Sequence, residues 1–527
     1  MEPAGRDVIT TAERALYYLS AAWSGFLALA VELSLARLLR PWFGDMLFVW
    51  AAIIGFVLLY LALGNYRGGR VRKRPPQDQL MSAFEGAGLG IALLPLLSRY
   101  LLPLAQQGMR AYHLTPPLVA MIVIWILLAS PLTSLGMVPP LVVRLLAATL
   151  EEIGDVTGRV LAVGTFASLL GAFLPVFVLL PTLGTYVTFG ALGLLALAWA
   201  TLLRARYGER HRVIFNLLLI LGLALSFWAG HQRPVKGRDP SGRGRVLYEG
   251  ESPYNFIQVS EVDGERWLRL NEGEGLHSVW RPEDGLSAGI WDYFLLAPCF
   301  TLHPEQHPQD LLVIGLAGGT VPTLYKHAFG NIPMVGVELD SQVVQVAYRY
   351  FGLTEIPTLQ PWIGDGRLYL TLHDRQFDVI AVDAYRPPYI PFHLTTWEFF
   401  RLVKAHLREE GVVAVNVART QTDHRLVDGI AATMNHVFPA VFVLDEPLDG
   451  AAWGNALVVG TTTPMTEQQV RERLAGTPNP YVRAVGREAM PHLRRFTRRE
   501  PLWTDDHAPV EQVVHSIIWA FLTGRDR

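Results

Sequence analysis

The first 230 residues are dominated by apolar segments about twenty residues long, and nothing else in the chain limits its fold so strongly. A run of that length matches the ~30 Å hydrocarbon core of a bilayer. There the backbone must satisfy its own hydrogen bonds, so only helices and closed barrels span. Seven segments are expected to cross: Ala15–Leu39, Met46–Tyr66, Leu80–Leu104, Pro117–Leu135, Val160–Leu180, Tyr186–Leu203 and Val213–Ala229. Val138–Leu150 carries Pro139, Pro140 and Arg144, which suits an interfacial helix or a connection. The first segment is too long for a signal-peptide core and contains Glu32 and Arg37, so it reads as a retained helix. Composition agrees, with 51% hydrophobic and 17% charged residues and a mean hydropathy of +0.26.

The loops Arg67–Arg74 and Arg204–Arg212 are arginine-rich and each is expected on the cytoplasmic side. One further span would put the rest of the chain outside, yet Arg233, Lys236, Arg238, Arg243 and Arg245 follow it directly. A nucleotide-type site downstream argues for a cytoplasmic catalytic domain. The expectation is therefore a multi-pass integral protein of the cell membrane, with the bilayer as partner and that domain in the cytoplasm. Glu32 and Glu85 lie inside expected spans, where a carboxylate is costly. No second half-repeat or broken-helix pair marks a transport path, so structural pairing, such as Glu32 with Arg37, is the expected role.

His231 to Arg245 is polar, basic and rich in Gly and Pro, and is expected to be a linker. The alternation in FIQVSEV and RWLRLN, with Asp263-Gly264 between them, predicts a β-hairpin. From Asp310 the pattern changes to short apolar runs, each ending in glycine or a carboxylate: DLLVIGLAGGT, MVGVELD, WIGDGR and FDVIAVDAYRPP. Buried parallel strands present a nucleotide site in this way at their C-terminal ends. Gly315, Gly318 and Gly319 let the backbone turn tightly and approach a ligand. Glu338, about 20 residues on, is placed to accept from ribose hydroxyls. Asp365, followed by Gly366, is a candidate acceptor for an adenine amino group. Asp383 emerges where the reactive end of the cofactor would lie.

The expected fold is an N-terminal α-helical transmembrane bundle plus a C-terminal α/β Rossmann-like domain, preceded by a small antiparallel β region. The boundaries are 1–230 for the bundle, 231–245 for the linker, 246–300 for the hairpin region with a connecting helix, and 301–527 for the cofactor-binding domain. A net charge of −2 gives no reason to expect nucleic acid. The single cysteine, Cys299, excludes an intrachain disulfide. His303 and His307 lie four apart in a Pro-rich loop without a third ligand, so no metal site is expected. Tyr385, Tyr389, Phe392, Trp397, Phe399 and Phe400 form an aromatic run, expected to be part pocket wall and part core.

These motifs, in this order, resemble the spermidine synthase family of aminopropyltransferases, and most closely its membrane-fused members. The resemblance is loose in the first span, at VELSLARLL, and good from residue 248 to about 515. SPYNFIQV, LRLNEGEGLHSV, GLAGGT, VELD, GDG, VDAY, HLTTWEFF and TDDHAPVE carry it. It implies a methyltransferase-type sheet and, as co-substrate, decarboxylated S-adenosylmethionine or S-adenosylmethionine. It also implies a small-molecule amine acceptor, polyamine biosynthesis, and Asp383 as the carboxylate that positions and deprotonates the amine. A homodimer is compatible with it. Tyr254, Glu272, Tyr385, Arg386, Asp505 and Asp506 are candidate substrate residues, with Glu274 and Asp292 as further acids.

The chain departs from the family at three places. Gly318 stands where the synthases have an aspartate in the glycine turn. Arg386 stands where they have a second catalytic aspartate, and a cation there repels a diamine. Ile290, with Tyr293 nearby, stands near the family's catalytic tyrosine. These departures keep two alternatives open: S-adenosylmethionine-dependent methyl transfer to a small or membrane-soluble acceptor, and a non-enzymatic transporter or sensor gated by a nucleoside.

Overall fold

A computed structural model describes residues 10–44, 46–70, 74–112, 116–230, 233–271, 275–282, 285–301, 306–385, 389–448 and 453–522. The chain divides into two compact units, Met1–Gly237 and Arg238–Arg527.

The first unit is helical: α1 (Thr11–Phe43), α2 (Leu47–Arg70), α3 (Pro76–Tyr112), α4 (Pro116–Gly136), α5 (Val138–Leu146), α6 (Ile153–Leu174), α7 (Leu180–Arg206) and α8 (Arg210–Gly230). Among the described residues, six helices are long and apolar enough to cross a membrane. One of these is a 54-residue run, Ile153–Arg206, which joins α6 to α7 through a π-helical turn, Pro175–Leu179. At 1.5 Å per residue that run would be about 80 Å long, more than twice a hydrocarbon core. Gly184 breaks it with φ 74° and ψ 169°, so the two expected segments Val160–Leu180 and Tyr186–Leu203 fall on either side of the break.

Helices approach closely where both carry small residues, as packing in a membrane favours. A Cβ on Gly64 would lie 2.7 Å from the Gly136 Cα, and one on Gly25 would lie 2.2 Å from the Gly164 carbonyl oxygen. Helix α5 follows α4 as a short connecting helix. Val138, Leu141, Val142, Leu145 and Leu146 are buried, and only the Arg144 side of the helix is exposed. Its apolar residues recur at helical spacing, and the two prolines fall in its first turn.

Arg204 is the polar centre of this unit, and its side chain is fully buried. Its donors reach Asp78 at 2.5 Å, Glu209 at 2.6 Å, Ser82 at 2.9 Å and both oxygens of Glu85 at 3.0 and 3.1 Å. Asn216 adds a bond to Glu85 at 3.0 Å. These bonds put the start of α3 and the end of α7 at one end of the bundle. Arg99, further along α3, donates to the Gly230 carbonyl at 2.7 Å. Helix α8 therefore runs alongside α3 in the same direction and ends at the opposite end from the loops Arg67–Arg74 and Arg204–Arg212.

The second unit opens with a four-stranded antiparallel sheet: β1 (Arg245–Glu251), β2 (Phe256–Val262), β3 (Glu265–Leu270) and β4 (Ser278–Trp280). Asp263 and Gly264 both have positive φ, 53° and 87°, as a two-residue hairpin turn requires. An 11-residue 3₁₀ helix, Ile290–Phe300, follows with every residue buried.

The main sheet has eight strands: β5 (Leu311–Ile314), β6 (Met334–Glu338), β7 (Leu359–Ile363), β8 (Phe377–Val382), β9 (Leu407–Thr420), β10 (Ala440–Asp445), β11 (Trp453–Thr461) and β12 (Leu493–Phe496). Their order is β12-β10-β11-β9-β8-β5-β6-β7. The strands from β7 to β9 are parallel, and β11, β10 and β12 continue the sheet antiparallel. The helices are α9 (Thr320–Phe329), α10 (Ser341–Tyr350), α11 (Gly366–Leu372), α12 (Trp397–Ala405), α13 (Arg425–Met434), α14 (Glu467–Gly476), α15 (Pro480–Ala489) and α16 (Val510–Leu522). The chain winds outward from β5 in one direction and from β8 in the other. Their carboxyl ends flank the crevice where such sheets bind ligands.

Candidate active site

The glycine turn leaves β5 and leans on the end of β8. Gly315 has φ 96°, and a Cβ there would lie 2.4 Å from the Asp383 carbonyl oxygen. The Asp383 N–H donates to the Ile314 carbonyl at 2.8 Å. The turn and the Asp383 backbone are therefore in direct contact, and no larger residue fits at 315.

The N–H groups of the turn are already in use. Gly315 and Leu316 donate to the Val337 carbonyl at 2.9 Å, and Gly319 donates to the Leu316 carbonyl at 2.8 Å. Ala317 donates to Glu338 Oε2 at 2.9 Å, and Gly318 donates to Ser278 Oγ at 2.8 Å. A pyrophosphate needs free amides at such a turn, and these five are committed within the protein. The turn suits a nucleoside that brings no phosphate.

Glu338 ends β6 and is partly exposed. Its other oxygen accepts from the Asp340 N–H at 3.1 Å. Burial pushes its carboxyl up, while the Ala317 and Asp340 amides hold it down. Leu339 follows with 44% of its surface exposed, and Ile363, paired with Glu338 across the sheet, is 47% exposed. Two apolar side chains are thus left open at neighbouring strand ends, beside a carboxylate.

Asp365 caps α11 through the Leu368 N–H at 3.0 Å and meets His393 Nε2 at 2.8 Å. The His393 bond, first, holds its carboxyl below the ordinary range. Both oxygens already have protein partners, and an adenine amino group would share them.

Asp383 follows β8. Asn416 Nδ2 on β9 donates to its Oδ1 at 2.8 Å, and Trp291 Nε1 of the 3₁₀ helix donates to its Oδ2 at 2.9 Å. Burial pushes the carboxyl up to about 7, against the pull of these two neutral donors. The side chain of Tyr385, two residues on, is anchored to β9. Its hydroxyl accepts from the Ala418 N–H at 2.8 Å and donates to the Asn416 carbonyl at 3.1 Å. Tyr385 thus fixes the loop that carries Asp383.

Among the described residues, the other candidate substrate residues have partners or surroundings of their own. Glu272, Glu274 and Arg386 lie outside the described residues. Asp292 is committed to the Ser287 and Ala288 N–H groups at 2.7 and 2.9 Å. Asp505 forms a two-pronged pair with Arg367, both contacts at 2.6 Å, and accepts from Thr396 at 2.7 Å. The Arg367 pair, first, holds its carboxyl down. Asp505 therefore docks the C-terminal segment on α11 and α12, near Asp365. Asp506 is exposed, and Tyr254 is 48% exposed on the β1–β2 loop. In the aromatic run Tyr389, Phe399 and Phe400 are core, while Phe392 is exposed. His303 lies outside the described residues, and the His307 ring packs edge-on to Phe329.

Sequence reading missed Trp291, Asn416 and Ser278. Asn416 left a trace, as the one polar residue in the apolar strand GVVAVNV.

Residues 298–445 match the family model of the spermine/spermidine synthase domain. This part of the chain is similar to the spermidine synthase family. A probable polyamine aminopropyl transferase of Bifidobacterium longum is 34% identical over 172 residues, which are 33% of this chain and 37% of that protein. The chain thus spans little more than a third of that relative. A polyamine aminopropyltransferase of Vibrio vulnificus is 29% identical over 280 residues, 51% of this chain and 91% of its own length. Among solved structures, a probable spermidine synthase from Corynebacterium glutamicum aligns with 18% identity and a TM-score of 0.39, covering 46% of this chain and 94% of that one. In the synthase-like domain, the matched residues include the glycine turn, Glu338, Asp365 and Asp383.

Proposed function

We propose that this protein is a membrane-anchored aminopropyltransferase that moves the aminopropyl group of decarboxylated S-adenosylmethionine to an amine in polyamine biosynthesis. One observation carries the reading: Asp383 stands at the crevice between β5 and β8 with only neutral donors on its carboxylate. Relatives named as polyamine aminopropyltransferases support it.

The residues fit such a co-substrate. Glu338 would accept from the ribose, the exposed Leu339 and Ile363 would flank the base, and Gly315 lets the turn lie directly against the Asp383 backbone. An adenosylsulfonium supplies a carbon that already bears its leaving group, so holding the amine in line provides much of the rate. An ammonium has no lone pair to attack with. Asp383 takes the ammonium proton, the freed lone pair forms the new C–N bond, and the C–S electrons leave with sulfur as a neutral thioether. A carboxyl that titrates near 7 is suited to that exchange at neutral pH.

The test is turnover by the purified full-length protein given decarboxylated S-adenosylmethionine and a diamine. Methylthioadenosine release that depends on the diamine is expected. Release of S-adenosylhomocysteine from S-adenosylmethionine instead would replace aminopropyl by methyl transfer, and no release from either would remove both.

The spermidine synthase-like domain is placed in the cytoplasm, because a permanently charged sulfonium does not cross a bilayer unaided. Helix α8 ends opposite the loops Arg67–Arg74 and Arg204–Arg212, so those loops then face outward against the usual arginine distribution. Single cysteines at Gly69 and at Glu472, labelled in intact cells with an impermeant reagent, decide the orientation. Labelling at 69 alone supports the placement, and labelling at 472 alone reverses it.

A further inference from the structure

The two donors on Asp383 are not equivalent. An indole N–H can only donate, whereas a side-chain amide can present either NH₂ or C=O. Trp291 therefore suits an unprotonated Oδ2 and opposes a proton on that atom. Asn416 can serve both states. Its Oδ1 is buried and has no hydrogen-bond partner among the described residues, so a half-turn of the amide would offer that oxygen to a proton on Asp383 Oδ1.

We propose that Trp291 is a positioning residue for Asp383: its indole N–H aims the carboxylate, keeps Oδ2 unprotonated and directs proton uptake to Oδ1, beside Asn416. The proposal rests on the reading of Asp383 as the proton acceptor.

No charged side chain competes for this role among the described residues. On the 3₁₀ helix, Asp292 is tied to Ser287 and Ala288, Tyr293 reaches Glu488 at 3.4 Å, and Cys299 is buried. On β9, Arg408 pairs with Asp310 and Asp378, Glu409 and Glu410 lie at the far end of the strand, and Arg419 pairs with Asp445 at 3.3 Å. Asp378 is at the opposite end of β8, β5 has no ionisable residue, and Tyr385 is bonded to β9. Burial raises the Asp383 carboxyl to about 7 against the pull of both donors, so loss of a donor raises it further.

The test is pH-titrated infrared difference spectroscopy of the full-length protein, reading the C=O stretch of a protonated carboxylic acid. The wild type should show a band that Asp383→Asn removes. In Trp291→Phe its midpoint should rise by about one pH unit, a tenfold change in proton affinity. Replacing Trp291 by 3-benzothienylalanine, which keeps the shape and lacks the N–H, should give the same shift and covers the case of a poorly folded Phe variant. In turnover, the acidic limb of the rate profile should move by the same amount. A midpoint unchanged in the isostere overturns the proposal, as does a band that survives Asp383→Asn. The band needs no substrate, so a shifted midpoint in a protein inactive with every amine would remove the transfer reading and leave the Trp291–Asp383 pair standing.

Discussion

The Ser252 hydroxyl donates to the Asp340 carboxylate across 88 residues of sequence, fastening the β1–β2 loop to the start of α10. Asp340 also takes the Asn255 amide and the Gln342 N–H, both at 3.0 Å, and is itself 1% exposed. It stands two residues after Glu338, so the fastening holds the small sheet beside the end of β6.

Asp340→Ala removes a helix cap and leaves three donors unmet. Caps contribute about 1 kcal/mol and an unmet buried polar group costs about 1–3 kcal/mol, so a loss of about 3 kcal/mol is expected. Denaturant unfolding of the full-length protein measures it. Weaker binding of methylthioadenosine should accompany it, because the backbone segment whose Asp340 N–H steadies Glu338 loses its side-chain fastening.

Glu338→Gln keeps the shape and loses the charge that two ribose hydroxyls would meet. Charge-assisted bonds contribute about 1.5–3 kcal/mol, so methylthioadenosine affinity should fall by about 10- to 100-fold in calorimetry. Unchanged affinity removes the ribose role.

Gly318 packs against the small sheet: a Cβ there would lie 2.7 Å from the Ser278 Cβ and 3.0 Å from the Phe351 ring. Gly318→Asp, which restores the residue found in the synthases, should therefore destabilise by about 1–3 kcal/mol. Adding Ser278→Gly opens that space and should recover part of the loss. Equal stability of the single and double variants would show that the Ser278 contact is not what excludes the aspartate.

The parts legible in sequence were those fixed by local chemistry. The Asp263-Gly264 turn is written in two adjacent residues that adopt positive φ. Gly315, Glu338 and Asp383 each terminate a short apolar strand, and such strands end at the same edge of a parallel sheet. Contacts made across the fold were not legible. Trp291 and Asp383 are 92 residues apart, Ser278 and Gly318 are 40 apart, and no periodicity encodes either meeting. In the helical unit, the charge of Glu85 inside an apolar segment was visible. Its partner, Arg204, lies 119 residues on, in a loop region that read only as basic. The division between Val160–Leu180 and Tyr186–Leu203 was legible, and the backbone breaks between them at Gly184.

Arg204→Met leaves Asp78, Glu85 and Glu209 close together without their common cation. Removing one partner from a buried ion pair costs about 3–5 kcal/mol, so a sharp fall in the thermal midpoint of the detergent-solubilised protein is expected. Adding Glu85→Leu should recover part of it, because one uncompensated charge is removed with the arginine already gone. No recovery would indicate that Glu85 regains water once Arg204 is lost.

Asp383 links activity to a stability cost whose sign follows from its titration. Its carboxyl titrates near 7 in the folded protein, against an ordinary value of 3.8. The folded state therefore holds this proton more tightly than the unfolded state does. Below about pH 4 both states are protonated and the group contributes no difference. Between about 4 and 7 the unfolded carboxyl has ionised while the folded one has not, so the folded state loses relative stability as pH rises, and the loss levels off above 7. Asp383→Asn removes the titration. It should abolish turnover, leave methylthioadenosine binding nearly intact, and raise the thermal midpoint relative to wild type by an amount that grows from pH 4 to pH 7 and then stays constant. Thermal unfolding of both proteins at half-unit pH steps measures the difference. A pH-independent difference would show that burial of the Asp383 charge carries no such cost.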